Sequence, residues 1–131
     1  RFEKQIEIFS NTKADSCNTR AIIKESNIVT PSVSYYLPFI ISMKFKNPFV
    51  HGSLMIKTSV LKELNGYDEN FYYAQDYKLY LDLLSNGYNI KAINKPLYNL
   101  NTINNISSNN KDEQKYYFNC ARKRIVPVKK L

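Results

Sequence analysis

The chain has no tryptophan, one histidine and two cysteines in 131 residues, and each scarcity narrows the chemistry. Cys17 and Cys120 lie far apart, outside any CxxC or Cys/His spacing, which argues against a zinc site. They read either as reduced core thiols or as one long-range bridge. No apolar run approaches the roughly 20 residues that a membrane-spanning helix requires. The longest candidate, Tyr35 to Met43, contains Pro38 and meets Lys44 at its end. There is no D-x-D or E-x-D pair and no Gly-rich phosphate loop, so a nucleotide diphosphate and its metal find no recognisable ligands here. The opening RFEKQIEIF is charged and helical, unlike the basic-then-apolar start of a secretory signal. The expectation is therefore a cytoplasmic protein.

What is abundant is positive charge and tyrosine. Nineteen basic against eleven acidic residues give a net charge of +8, and there are eleven Tyr and seven Phe. Such a balance suits an anionic partner, whether nucleotide diphosphate, membrane surface or nucleic acid, or simply a lysine-rich solvated surface. Only Arg122, Lys123 and Arg124, with Lys129 and Lys130, form a real cluster. It fits either peripheral contact with anionic lipid at the inner face of a membrane or a solvated tail. The size is that of one domain, or a piece of one, spanning 1–131.

Periodicity predicts an α/β order without internal repeats. Phe2, Ile6 and Phe9 recur at helical spacing, so Arg1 to Phe9 reads as the end of an amphipathic helix, stopped by Asn11-Thr12. Ala14 to Lys24 reads as a strand and Ser26 to Ser32 as a connection. Ser34 to Phe45 is ambiguous, with a short helix suited to begin at Pro38. Ser53 to Lys57 is a short strand. Thr58 is an N-cap candidate for a helix to Leu64, which Asn65-Gly66 ends in a left-handed turn. Tyr77, Tyr80, Leu81 and Leu84, widened by Leu83, mark the apolar face of the next helix, closed by Asn86-Gly87. Tyr88 to Ile93 is a strand, broken at Lys95-Pro96 before an extended Leu97 to Leu100. A polar Asn99 to Asn110 loop precedes a final helix from about Lys111 to Ile125, with the basic tail filling out 111–131.

Chemistry concentrates at Asp76. At a helix start its carboxylate is favoured by the positive end of the helix, by about 0.3–1 kcal/mol when exposed. It is equally a residue type that stabilises a helix start with no catalytic role. His51 sits beside Gly52, which permits close approach of a ligand or backbone, and Ser53, which offers a hydroxyl. A structural histidine is the alternative. Gly66 and Asp68 read as turn residues. Phe71, Tyr72 and Tyr73 form an aromatic run on which a sugar ring could pack, with at least one ring expected in the core.

The stretch NPFVHGSLMIKTSVLKELNGYDENFYYAQDYKLYLDLL, from Asn47 to Leu84, together with the opening RFEKQ, resembles the acceptor-side half of inverting family 2 glycosyltransferases of the GT-A type. That family carries an NPF-x-H strand start, a G-G-Y-D turn and an (E/Q)-D-Y-D-L-W-L-R helix start. The resemblance implies an α/β fold, a partial GT-A mixed sheet flanked by helices with its N-terminal nucleotide-binding half absent. It implies sugar transfer from a nucleotide-sugar donor to a glycan or lipid-linked acceptor with inversion. Asp76 would be the general base. His51 and Ser53 would border the donor sugar, Tyr72 and Tyr73 would help form the acceptor cleft, and Gly52 and Gln75 would also bind substrate. Mg²⁺ or Mn²⁺ would be held in the intact enzyme by ligands outside this chain, since RFEKQ in relatives directly follows the metal motif. The chain alone is then expected to be inactive, to bind no metal and to expose a sheet edge through which copies could pair.

Departures are specific. Lys78 and Asp82 invert the charges of the family pattern, and Asn99 to Ser107 lacks the Arg and His of the Y-R-x-H-x-N-S-I-S stretch. The Q-x-x-R-W motif of processive enzymes is absent. Two other readings compete: a basic, Tyr-rich module for single-stranded nucleic acid, and a non-catalytic interaction protein derived from a transferase. Against the first, Tyr77 and Tyr80 fall at core spacing and no RNP-like or helix-turn-helix pattern appears. The expectation is therefore no nucleic-acid partner.

Overall fold

The strand at the centre of the molecule is one that hydropathy hardly announces. In the computed structural model, which describes residues 1–31, 36–100 and 111–128, strand β1 (Ser16–Ile23) pairs with every other strand. Its last residues pair antiparallel with β2 (Ile28–Thr30) and its first with β3 (Met55–Ile56). Its opposite edge pairs parallel, along its whole length, with β4 (Ile90–Leu100). The fold is thus α/β, a mixed four-stranded sheet flanked by helices.

Burial on both faces explains why β1 does not alternate. Ser16, Cys17, Asn18 and Thr19 are all buried, so the strand turns its polar side chains inward on both faces. Asn18 Nδ2 donates to Val50 O and Tyr80 Oη, and Thr19 Oγ1 to Arg20 O, while Ser16 Oγ and Asn18 Oδ1 have no hydrogen-bond partner among the described residues. Helix α1 (Phe2–Asn11) supplies one partner to the backbone of β1. Its Gln5 is fully buried and Nε2 donates to the carbonyls of Cys17 at 3.0 Å and Ser53 at 2.8 Å. The Phe2 and Ile6 positions of the expected apolar stripe face solvent instead. The helix is where periodicity predicts it, but an amide anchors it.

Four further predictions are corrected. Ser26 to Ser32 is not a plain connection: Asn27 turns the chain at φ 56° and β2 returns along β1, its β-branched Ile-Val-Thr suiting a strand. The break at Lys95-Pro96 becomes an irregularity inside one continuous strand. Thr19 pairs with Ile93 and Arg20 with Pro96, so the extra residues bulge out and the ladder resumes; bulges are where a strand accommodates proline. Arg20 ties this region, its guanidinium donating to Pro31 O and Asn94 Oδ1. Thr58 is the first residue of α3 (Thr58–Glu63), not its cap, and Lys57 precedes it without a side-chain capping bond. Lastly, the apolar face of α4 (Gln75–Ser85) is centred elsewhere: Tyr77, Leu79, Tyr80 and Leu83 are buried, while Leu81 and Leu84 are half-buried.

The short helix α2 (Phe39–Ser42) follows Pro38 as expected, and Asn65 and Gly66 both adopt left-handed conformations at the end of α3. Helix α5 (Lys111–Lys123) packs on α4 through Tyr117, Cys120 and Ala121, completing the main core with Phe49, Val60 and Phe71. Cys17 and Cys120 are both buried free thiols, and burial raises the Cys17 pKa. The predicted loop beyond Leu100, with most of the Asn99 to Ser107 comparison, and Lys129 and Lys130 lie outside the described residues. No described helix is long and apolar enough to cross a membrane.

Candidate functional site

The start of α4 is set by three local features. Ala74 precedes it in a left-handed conformation, φ 58°, which costs a non-glycine residue about 1–2 kcal/mol. Such a conformation persists only where its surroundings dictate it, and it fixes the direction in which Gln75 and Asp76 leave the turn. Asp76 is the second residue of the helix and Ala74 its N-cap, so the N-cap position open to Asp76 in sequence is not the one it takes. Instead Oδ2 accepts a hydrogen bond from Asn47 Nδ2 at 2.9 Å. Asn47 is itself held because its Oδ1 accepts the Phe49 N–H at 3.0 Å, an Asx turn of the kind Asn forms before proline.

Around this pair lies an open cleft of about 750 Å³. His51, Tyr72, Tyr73, Gln75 and Asp76 all line it, so five of the seven sequence-derived candidates converge on one space. Tyr72 is 72% exposed and meets Tyr73 edge-on at 4.8 Å, while Tyr73 leans on Tyr117 at 5.9 Å. Phe71 is the ring of that run that enters the core. The floor includes Tyr77, whose ring stacks on Phe118 at 4.1 Å and whose hydroxyl donates to Met43 O.

Gly52 and Ser53 are placed elsewhere. Ser53 is fully buried: Oγ accepts the Thr19 N–H at 3.0 Å and lies within bonding distance of the carbonyls of Val50 and Thr19. Its hydroxyl is committed to tying the His51–Ser53 turn to β1. Gly52 permits close approach, but of a side chain: a Cβ there would lie 2.3 Å from Tyr98 Oη. Its carbonyl accepts from Arg1 Nη1 at 3.0 Å.

Sequence reasoning missed Asn47 and Tyr67 as parts of the site. Tyr67 packs edge-on to His51 at 5.6 Å, with its hydroxyl 3.3 Å from Nε2. Burial raises its pKa, and the nearby charge of Asp76 adds to the effect. The signals were present, since Asn before Pro forms side-chain turns and Tyr67 adjoins the Gly66 turn. Asp68 does bracket that loop, its Oδ1 accepting from Asn70 N–H. Lys46, Lys111 and Lys115 also line the cleft, and Asp76 is the one carboxylate among the described residues that line it. One carboxylate does not make a site for a hard divalent ion, and among the described residues no three His, Cys, Asp or Glu side chains converge.

The two charge-inverted positions face each other: Lys78 Nζ and Asp82 Oδ1 form an i,i+4 ion pair on α4. The inversion is therefore mutual. What the arrangement can do chemically is hold one carboxylate still beside aromatic faces in a cationic cleft. No family model, no curated protein and no solved structure matches the chain.

Proposed function

We propose that the chain is the acceptor-side part of an inverting GT-A glycosyltransferase acting in the cytoplasm. The intact enzyme takes a sugar from a nucleotide-sugar donor to a glycan or lipid-linked acceptor. Asp76 is the general base. The acceptor hydroxyl gives its proton to Asp76 as its oxygen attacks the anomeric carbon, the bond to the nucleoside diphosphate breaks, and configuration inverts. A divalent ion bound elsewhere in the intact enzyme would neutralise the diphosphate. In this chain, Tyr72 and Tyr73 pack against the acceptor ring, Gln75 hydrogen-bonds it and His51 borders the donor sugar. Lys46, Lys111 and Lys115 make the cleft attractive to anionic substrate groups.

One observation carries this reading: Asp76 is fixed by Asn47 at the edge of an open, aromatic-walled cleft, with Oδ1 outside that bond. A residue serving only the helix start needs neither the cleft nor the amide. The test is transfer by the full-length protein across a panel of nucleotide sugars with Mn²⁺, with Asp76→Asn alongside. The expected loss is about 10²-fold or more in kcat, as for removal of a positioned base. An Asp76→Asn variant as active as the wild type would leave Asp76 a structural residue.

A further inference from the structure

The helical segment from Phe39 to Lys46 is packed the wrong way round for a core element. Its hydrogen bonding continues past α2, with Met43 N–H donating to Phe39 O and Lys46 N–H to Ser42 O. Ser42 and Met43 turn inward, each 2% exposed, while Ile40, Ile41 and Phe45 point out at 66%, 43% and 76% exposure. A serine is buried and two isoleucines and a phenylalanine stand in solvent. Clustered apolar exposure of this kind marks an interaction surface.

The surroundings identify the partner. A groove of about 280 Å³ lies between this segment, α4 and α5. Ile40, Met43, Leu81 and Leu84 form its apolar wall, Lys44, Arg122 and Arg124 its charged rim, and no carboxylate of the described residues lines it. Past Arg124 the exposed Ile125 and Val126 line an adjoining cavity that also holds Asp68 and Asp82. We infer that this face docks on an anionic lipid surface, with Ile40, Ile41 and Phe45 entering the acyl boundary and the Lys44, Arg122 and Arg124 cations meeting lipid phosphates. Apolar side chains ringed by cations are the two elements of interfacial binding, and each alone is weak. A second copy is a poor occupant, because a two-fold pairing would set Lys44 and Arg122 against their own copies.

The cleft opens beside the same face, since Phe45 and Lys46 line it. If the transferase reading holds, a lipid-linked acceptor would reach Asp76 from the docked surface; this last step rests on that reading, whereas the docking does not. Vesicle binding and sugar transfer are separate readouts, so either can fail alone.

The experiment is flotation of the protein with phosphatidylcholine vesicles and with phosphatidylcholine–phosphatidylglycerol vesicles, at low and high salt. The expected result is binding to the anionic vesicles only, reversed by salt. The Ile40→Ser/Phe45→Ser variant should bind at least about tenfold more weakly, and each of Lys44→Gln and Arg122→Gln about fivefold. All four positions are exposed, and circular dichroism checks that the variants fold. Three outcomes overturn the inference: no binding to anionic vesicles at low salt, equal binding to neutral ones, or undiminished binding by the variants. So does a dimer in sedimentation that Ile40→Ser/Phe45→Ser dissolves, which would make the face a contact between copies.

Discussion

Asn47 joins two segments that are 29 residues apart in sequence by accepting from Phe49 N–H and donating to Asp76. Its substitution separates positioning from chemistry. Asn47→Ala should cost about 1–2 kcal/mol in denaturant unfolding, in the range for a bond to a charged acceptor at a half-exposed site. In the transfer assay kcat should fall about tenfold with donor KM unchanged, because the base drifts and the donor contacts stay. Unchanged kcat would make the contact incidental to activity. Gly52 offers a second residue-scale test. Gly52→Ala drives its methyl into the Tyr98 phenol and should destabilise by about 1–3 kcal/mol. In a Tyr98→Ala background the same change should cost much less, a non-additivity measured by a double-mutant cycle; additive losses would sink the steric account. Sequence marks Gly52 as permitting close approach of a ligand or backbone, but not of the phenol that takes the place, because that phenol lies 46 positions along the chain (Gly52 to Tyr98).

At the scale of elements, the legible parts were those that local chemistry governs. The left-handed stops at Asn65-Gly66 and Gly87, the Pro38 helix start and the extent of α4 all follow from turn and helix propensities. The illegible parts were those decided by what covers an element. Helix α1 has an apolar stripe in its sequence yet buries Gln5, because β1 and the His51–Ser53 turn each offer a carbonyl there. Helix α4 is enclosed on more than one side, so Leu79 joins the core although it lies off the Tyr77–Tyr80–Leu84 stripe. Strand β4 reads through Pro96 because a bulge opposite Arg20 absorbs the extra residues. For the candidate site, motif resemblance located five of the cleft-lining residues, while Ser53 was misplaced because nothing in HGS distinguishes a hydroxyl facing a ligand from one facing β1.

For the molecule as a whole, the abundance of tyrosine makes stability depend on alkaline pH. Tyr67, Tyr77 and Tyr80 all have pKa values raised above the ordinary 10.0, foremost by burial. The unfolded chain releases these protons near pH 10 and the folded chain holds them. Stability is therefore fully present below about pH 10 and falls as pH rises further, by up to about 1.4 kcal/mol per pH unit for each retained proton. Denaturant midpoints across that range should fall, and Tyr80→Phe should flatten the slope. It should also lower stability at neutral pH by about 0.5–1.5 kcal/mol, since Asn18 Nδ2 loses its 2.8 Å acceptor but keeps Val50 O and Ser53 Oγ. A midpoint independent of pH above 10 would count against the buried phenols. The pairing of β1 with β4 has a further consequence, in time. Its register joins Ser16 to Ile90 and Ile23 to Leu100, so the central strand has one whole edge unpaired until the last strand arrives. A growing chain can close the β1–β2 hairpin early, but its sheet stays open through the making of α2, α3 and α4. Such long-range pairing slows folding, and during that interval the bare edge of β1 is where a chaperone, or a neighbouring nascent chain, would find a place to add a strand.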